Sequence, residues 1–416
     1  MLSSVSCCHV SFRWPAACLT AALLFGAWSL AAPSADAQLA VRGDTVYTMA
    51  GDPIVNGVVL VRGTTIERVG PASEVSVPDG YQTFTASVVT PGLVDPRGTV
   101  GASGLYNVDA DQDQLDTSMP MQPELRAIDA YNPREELVDF VRSLGVTTVH
   151  TGHAPGALIS GQTAVFSTRG ETVETALRDP LAAVAMTVGP EAGQRFDSPG
   201  TRAKGVSMLR ERLVGARQYA EKKASGTDVD TDLGMEVLIR VLDGEVPALV
   251  TAHKAHDIQA ALRLQEEFGF EMILDGAAEA YLVVDELQAA GVPVLLHPTM
   301  IRPSGGAESA AFTTASVLHA AGIPVAIQSG WEPYVPKTRV VLYEAAIAAA
   351  YGLPREVALA SITRTPAELL GLDDRIGTLE AGKDADLALF DGDPFEYTTH
   401  VCQVVIQGEL VSDECR

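Results

Sequence analysis

Val89-Thr-Pro-Gly-Leu-Val-Asp95-Pro-Arg97-Gly-Thr99-Val-Gly101 decides the fold of this chain. An apolar, β-branched run enters a short strand and ends on polar side chains. Arg97 and Thr99 are two apart, so on a strand they point the same way. Whatever lies at the end of this strand therefore meets a cation and a hydroxyl.

Working outward, residues 39–89 alternate in the strand manner, with Gly63 and Gly70 as breakers. A matching stretch closes the chain, in Asp386-Leu-Ala-Leu-Phe and Val401-Cys-Gln-Val-Val-Ile. Short strands with one apolar face need cover, so these distant ends are expected to pair into one small β-sandwich. Between them, apolar runs alternate with helical stretches. Eight strands are expected, over 87–95, 146–151, 162–167, 182–188, 248–253, 271–274, 293–297 and 324–328. A helix is expected over 257–268, stopped by Gly269. The fold class that follows is α/β: a (β/α)8 TIM barrel over 90–381, plus a composite sandwich from 38–89 and 382–416. An open doubly wound sheet is the alternative, but no glycine-rich phosphate fingerprint opens a helix. Two long segments, 101–129 and 189–204, leave carboxyl ends of strands and are expected to be solvated lids.

The 416 residues, 47% hydrophobic, suffice for a barrel and a smaller domain. A net charge of -24 repels phosphate backbones and argues against nucleic-acid binding. Acidity with lysine scarcer than arginine also fits a salty habitat. Arg13, the apolar stretch 16–32 and Ala35-Asp-Ala37 read as a signal peptide over 1–37, with the mature chain starting at Gln38. The alternative is an uncleaved anchor. A periplasmic or secreted protein with no integral span after cleavage is expected. Of the five cysteines, Cys402 and Cys415 would remain and could pair in an oxidising compartment.

The opening stretch resembles the first barrel strand of the amidohydrolase superfamily. There it ends in Asp-x-His-x-His, and Arg97 and Thr99 stand where the two metal-binding histidines would be. A second resemblance is to the barrel exit of imidazolonepropionase- and cytosine-deaminase-like members. It covers Ala360-Ser-Ile-Thr-Arg-Thr-Pro-Ala-Glu-Leu-Leu-Gly and Arg375-Ile-Gly-Thr-Leu-Glu-Ala-Gly-Lys-Asp-Ala-Asp-Leu. The resemblance implies hydrolysis of a non-peptide C–N bond, in a cyclic amide or a small dipeptide-like substrate. It also implies a divalent metal that lowers the pKa of bound water. Mapped by position, strand four offers neither lysine nor carboxylate, and strand five keeps His253 as a remnant ligand. Strand six has Asp275 for histidine, and strand eight has Gly330 for the aspartate that takes the proton.

Two ligands do not hold zinc tightly, so the expectation is no cofactor or a single zinc. An Arg97–Asp275 contact is expected, with these two as the catalytic candidates of a metal-free route. Thr99, His153, His297, Gln328, Lys337 and Arg339 are the candidate substrate-binding residues, and His153 and His297 could join His253 as a relocated ligand set. His150 is expected to pack under the barrel. Trp331 with Lys337 and Arg339 suggests an anionic or sugar-like small molecule. The functional alternatives are a hydrolase with an altered metal centre and an inactive barrel that binds a ligand or partner. A homodimer is possible.

Overall fold

The structure is a computed structural model and describes residues 38–106, 108–331 and 340–415. The signal-peptide expectation, Lys337 and Arg339 lie outside the described residues. Among the described residues no helix is long and apolar enough to cross a membrane.

The chain begins with β1 (Gln38–Val46), β2 (Ile54–Arg62), β3 (Thr65–Pro71) and β4 (Gln82–Pro91). It crosses at Gly92 into β5 (Leu93–Gly98), so the expected single strand over 87–95 is two strands in two sheets. The barrel continues with α1 (Glu136–Ser143), β6 (Val146–Thr151), β7 (Ile159–Ser167), the one-turn α2 (Val173–Ala176) and β8 (Leu177–Thr187). Next come α3 (Arg202–Ala224), α4 (Leu233–Leu242), β9 (Ala248–Ala252), α5 (Ala255–Phe268) and β10 (Met272–Gly276). Then follow α6 (Val284–Ala290), β11 (Val294–Leu296), α7 (Thr314–Ala320), β12 (Val325–Ile327), α8 (Val341–Ala350), α9 (Arg355–Ala360) and α10 (Arg364–Leu369). The end of the chain returns as β13 (Leu387–Phe390), β14 (Val401–Ile406) and β15 (Glu409–Ser412).

The terminal strands form one sheet in the order β15-β14-β13-β4-β1-β2-β3. Its two faces separate by the strand period. Leu387 and Leu389 join Val41, Val59, Val89 and Val405 in the sheet's own core, while Ala388 and Phe390 turn to the main core. Cys402 and Cys415 are joined by a disulfide.

The other sheet runs β5 to β12 in chain order and is nearly closed. At the seam, Gly330 N–H donates to the Arg97 carbonyl (2.9 Å) and Ser329 N–H to Asp95 Oδ1 (3.1 Å). The interior is packed by Ala183, Leu249, Ile273, Leu295 and Ala326, as barrel interiors are. One strand departs from the expected crossovers: β7 runs antiparallel to both β6 and β8. Parallel strands need a crossover of a dozen or more residues. Residues 152–158 are too few, so the chain turns back instead.

The segment 101–129 corrects the lid expectation. Ser103, Gln114, Gln122 and Ala127 are buried, and the backbone is bonded to strands. Gln122 N–H donates to Ile159 O (2.9 Å), Gln162 N–H to Leu125 O (2.7 Å), and Ala154 N–H to Gln114 O (2.6 Å). Its outward side, with Tyr106, Val108 and Met119, is exposed. It is a fixed cover over the β6–β7 end of the barrel.

Candidate active site at the barrel mouth

The carboxyl ends of β5, β9, β10, β11 and β12 bring together Arg97, His253, Asp275, His297 and Gln328. Arg97 and Asp275 are each the penultimate residue of their strands, and both are buried. Arg97 Nε lies 3.7 Å from Asp275 Oδ2, which is the expected contact. Arg97 Nη2 donates to the His153 carbonyl (2.5 Å), and Nη1 has no hydrogen-bond partner. Burial pulls the guanidinium pKa down, and Asp275 and Asp95 oppose that shift.

Asp275 is held from three sides. The Thr251 hydroxyl donates to Oδ2 and Gln328 Nε2 to Oδ1 (2.7 Å), with the Arg97 charge alongside. Both carboxylate oxygens are therefore occupied by fixed partners, which argues against Asp275 as the group that handles a reacting water. Gln328 spends its other N–H on Leu295 O (2.8 Å). It therefore positions Asp275 and has no hydrogen left to donate to a ligand. Thr251, inside β9, was missed from the sequence.

Thr99 lies outside this group. β5 ends at Gly98, so the strand period does not carry on to residue 99. The Thr99 hydroxyl exchanges a hydrogen bond with Ser103 Oγ (2.9 Å), and the Ser103 amide turns back to Thr99 O. Thr99 thus anchors the start of the cover segment.

Burial lowers the pKa of the four histidines near the mouth, and several of their ring nitrogens lack a partner. His150 packs inside, with Nδ1 donating to Pro96 O (2.7 Å) and Nε2 against Thr163 Oγ1 (2.7 Å). His153 is buried, and neither ring nitrogen meets the geometry of a hydrogen bond, although the Leu125 backbone lies close enough to raise its pKa against the larger lowering effects. Burial and the Arg97 charge push its pKa down to about 4. His253 follows β9, and its ring lies on Gly276, where a Cβ would come 2.6 Å from Cε1. Burial lowers its pKa, against the pull of Glu191 and Asp275, and its Nδ1 is unpartnered. His297, after β11, donates from Nδ1 to Pro298 O (2.6 Å) and leaves Nε2 unpartnered. Burial pushes it to about 4 as well. Glu191 Oε1 and Trp331 Nε1 are also buried without partners, with the Arg195 guanidinium 5.8 Å above the Trp331 ring. Glu191 sits in a single 3-10 turn, Pro190–Gly193, too short to show a period, so nothing in the sequence pointed to it.

The residues present do not fit a divalent ion. Structural and catalytic zinc sites use at least three protein ligands. Arg97 has no lone pair to give, Thr99 is engaged elsewhere, and both Asp275 oxygens are taken. At Gly330 φ is +69°, and a Cβ would lie 2.9 Å from the Pro298 ring. The backbone therefore resists a side chain where a proton-accepting aspartate was expected. Among the described residues no three His, Cys, Asp or Glu side chains come together as a ligand group, so His153, His253 and His297 do not form the relocated set.

Fold and sequence together define the class: the chain belongs to the amidohydrolase superfamily of hydrolases. The family model described as "Amidohydrolase family" matches residues 250–412. A crystal structure of an amidohydrolase from Thermotoga maritima superposes with a TM-score of 0.85 at 29% identity, over 90% of this chain and 100% of that one. Amidohydrolase tasK of Hapsidospora irregularis is 27% identical over 84% of this chain, which spans 39% of that protein's length. An imidazolonepropionase of Rhizorhabdus wittichii is 26% identical over 84% of this chain and 92% of its own.

Proposed function

We propose that the barrel mouth binds a small polar molecule at Arg97 and is an altered, metal-independent version of the superfamily's site. The observation that carries this reading is the buried Arg97 guanidinium. It is held by Asp275 and the His153 carbonyl, with Nη1 unpaired. A buried donor without a partner costs about 1–3 kcal/mol, and a ligand carbonyl or carboxylate oxygen would recover it. Asp275 keeps the cation in place: removing one member of such a pair costs about 3–5 kcal/mol. A fixed guanidinium polarises an acceptor as a metal would, but it supplies no bound water of lowered pKa. The group that would take a proton is absent at Gly330 and engaged at Asp275. Binding without hydrolysis by the metal route is therefore the reading favoured.

The second reading is hydrolysis of a non-peptide C–N bond, in a cyclic amide or dipeptide-like substrate. The unpartnered ring nitrogens of His153, His253 and His297 favour it, as do the names of the relatives. The Cys402–Cys415 disulfide supports a periplasmic or secreted location.

Zinc content and ligand binding separate the two. The protein equilibrated with zinc and then desalted is expected to retain well under one equivalent by elemental analysis. Its thermal midpoint is expected to rise with small acylated amino acids, and Arg97→Met is expected to abolish that rise. One zinc per chain, together with turnover of cyclic amides or dipeptides, would overturn the binding reading.

A further inference from the structure

Ligand choice at this mouth depends on which hydrogen-bonding sense each free atom has, and at His297 that sense is determined. A carbonyl oxygen only accepts, so the 2.6 Å contact to Pro298 O requires the hydrogen on Nδ1. A neutral imidazole has one N–H, so Nε2 then carries a bare lone pair. His297 is 1% exposed, and no described group bonds that nitrogen. The backbone holds the ring's base as well, since His297 N–H donates to Gly276 O (2.9 Å). Burial keeps the ring neutral at ordinary pH, with its pKa down at about 4. The tautomer is therefore locked, and the free nitrogen is an acceptor.

Arg97 has the opposite sense. Guanidinium nitrogens only donate, and Nη1 is buried and unpaired. Trp331 Nε1, also unpaired, is a second donor. The mouth thus holds a buried donor pole at β5 and a buried acceptor pole at β11.

We infer that His297 is a specificity-determining residue that selects ligands carrying an N–H or O–H donor in addition to an acceptor group for Arg97. This rests on the reading of the mouth as a ligand site. The ligand class is a small bipolar molecule, such as an acylated amino acid, whose carboxylate meets Arg97 and whose amide N–H meets His297 Nε2. An otherwise similar ligand without the donor leaves Nε2 buried and unpaired. Sites built to bond a donor reject analogues lacking it far more strongly than apolar pockets reject a missing methylene.

The test uses matched probes differing by one methyl: N-acetylglycine against N-acetylsarcosine, and N-acetylalanine against its N-methyl counterpart. Calorimetry on the full chain is expected to show the N–H member bound about tenfold or more tightly. His297→Leu is expected to bring the two members of each pair level by weakening the N–H probe alone. His297→Gln, which keeps an acceptor, is expected to retain part of the preference. Equal binding of the pair by the unaltered protein overturns the inference, and so does a preference that survives in His297→Leu. In either case the ligand site at Arg97 stands if Arg97→Met weakens both members alike. If none of the four probes binds the unaltered protein, the site reading fails and the inference fails with it.

Discussion

Asp95 shows how a single residue ties the strand motif to barrel closure. Its Oδ1 accepts from Arg97 N–H (3.2 Å) and Ser329 N–H (3.1 Å), and so spans the seam between β5 and β12. Burial pushes its pKa up to about 6, partly offset by the Ser329 and Arg97 hydrogen bonds and the Arg97 charge. The sign of the resulting pH dependence follows from linkage. Between the ordinary carboxyl value of 3.8 and about 6, the folded chain holds a proton that the unfolded chain releases. Asp95 therefore destabilises the fold above about pH 6, and that penalty is relieved as pH falls toward 4. Urea titrations of the unaltered protein and Asp95→Asn at pH 7 and pH 4.5 will measure it. The stability difference is expected to shift by on the order of 2 kcal/mol in favour of the unaltered protein at the lower pH. A difference that stays constant across this range would show that the carboxyl is not perturbed. Asp95 lies in the opening motif, but its place in the seam was not legible there, because its partner Ser329 is distant in sequence.

At the scale of elements, α5 was legible almost to its ends. Apolar positions recur at helical spacing, and Gly269 closes the helix in the left-handed region at φ 73°. The eight barrel strands were also found in order, because continuous apolar runs mark strands buried on both faces. Strand direction was harder. An apolar run reads the same in either direction, so β7 looked like its neighbours, and only the short connection over 152–158 hinted at reversal. The same reversal brings Ile159 and Gln162 to the mouth end, where they bond the 101–129 segment. That segment is polar and acidic, so composition alone suggested a solvated lid. Hydrogen exchange distinguishes the two descriptions. The amides of Gln122, Ala154 and Gln162 are expected to exchange at least about a hundredfold more slowly than those of Tyr106 and Val108 at the exposed tip. Uniformly fast exchange across 101–129 would restore the lid.

For the whole molecule, the dominant quantity is charge. Fifty-three carboxylates face 29 lysines and arginines, leaving -24. Many of the cations already sit in ion pairs, such as Arg178 with Asp384 and Asp386, and Arg202 with Asp257. The uncompensated excess is therefore negative and self-repelling. Salt screens that repulsion more than it weakens the partly buried pairs. The thermal midpoint is expected to rise by several degrees between about 0.05 and about 1 M sodium chloride. A flat or falling midpoint in a scanning fluorimetry series would mean that the surface ion pairs dominate.

Local pattern alone determined much of this protein. The period of two in the terminal segments called for one shared sheet, and the apolar runs between them called for a barrel; the family resemblance, not spacing, implied that Arg97 and Asp275 stand where metal ligands would be. The sheet and the barrel are written in neighbouring residues, since burial and side-chain direction follow from local spacing. What only the tertiary structure decided is what each polar atom meets. Gln328 closes on Asp275, Thr99 turns away to Ser103, and His297 is locked as an acceptor by the carbonyl beside it. The state of a buried polar atom is set by whichever groups the whole fold brings within hydrogen-bond reach, and no local spacing encodes that.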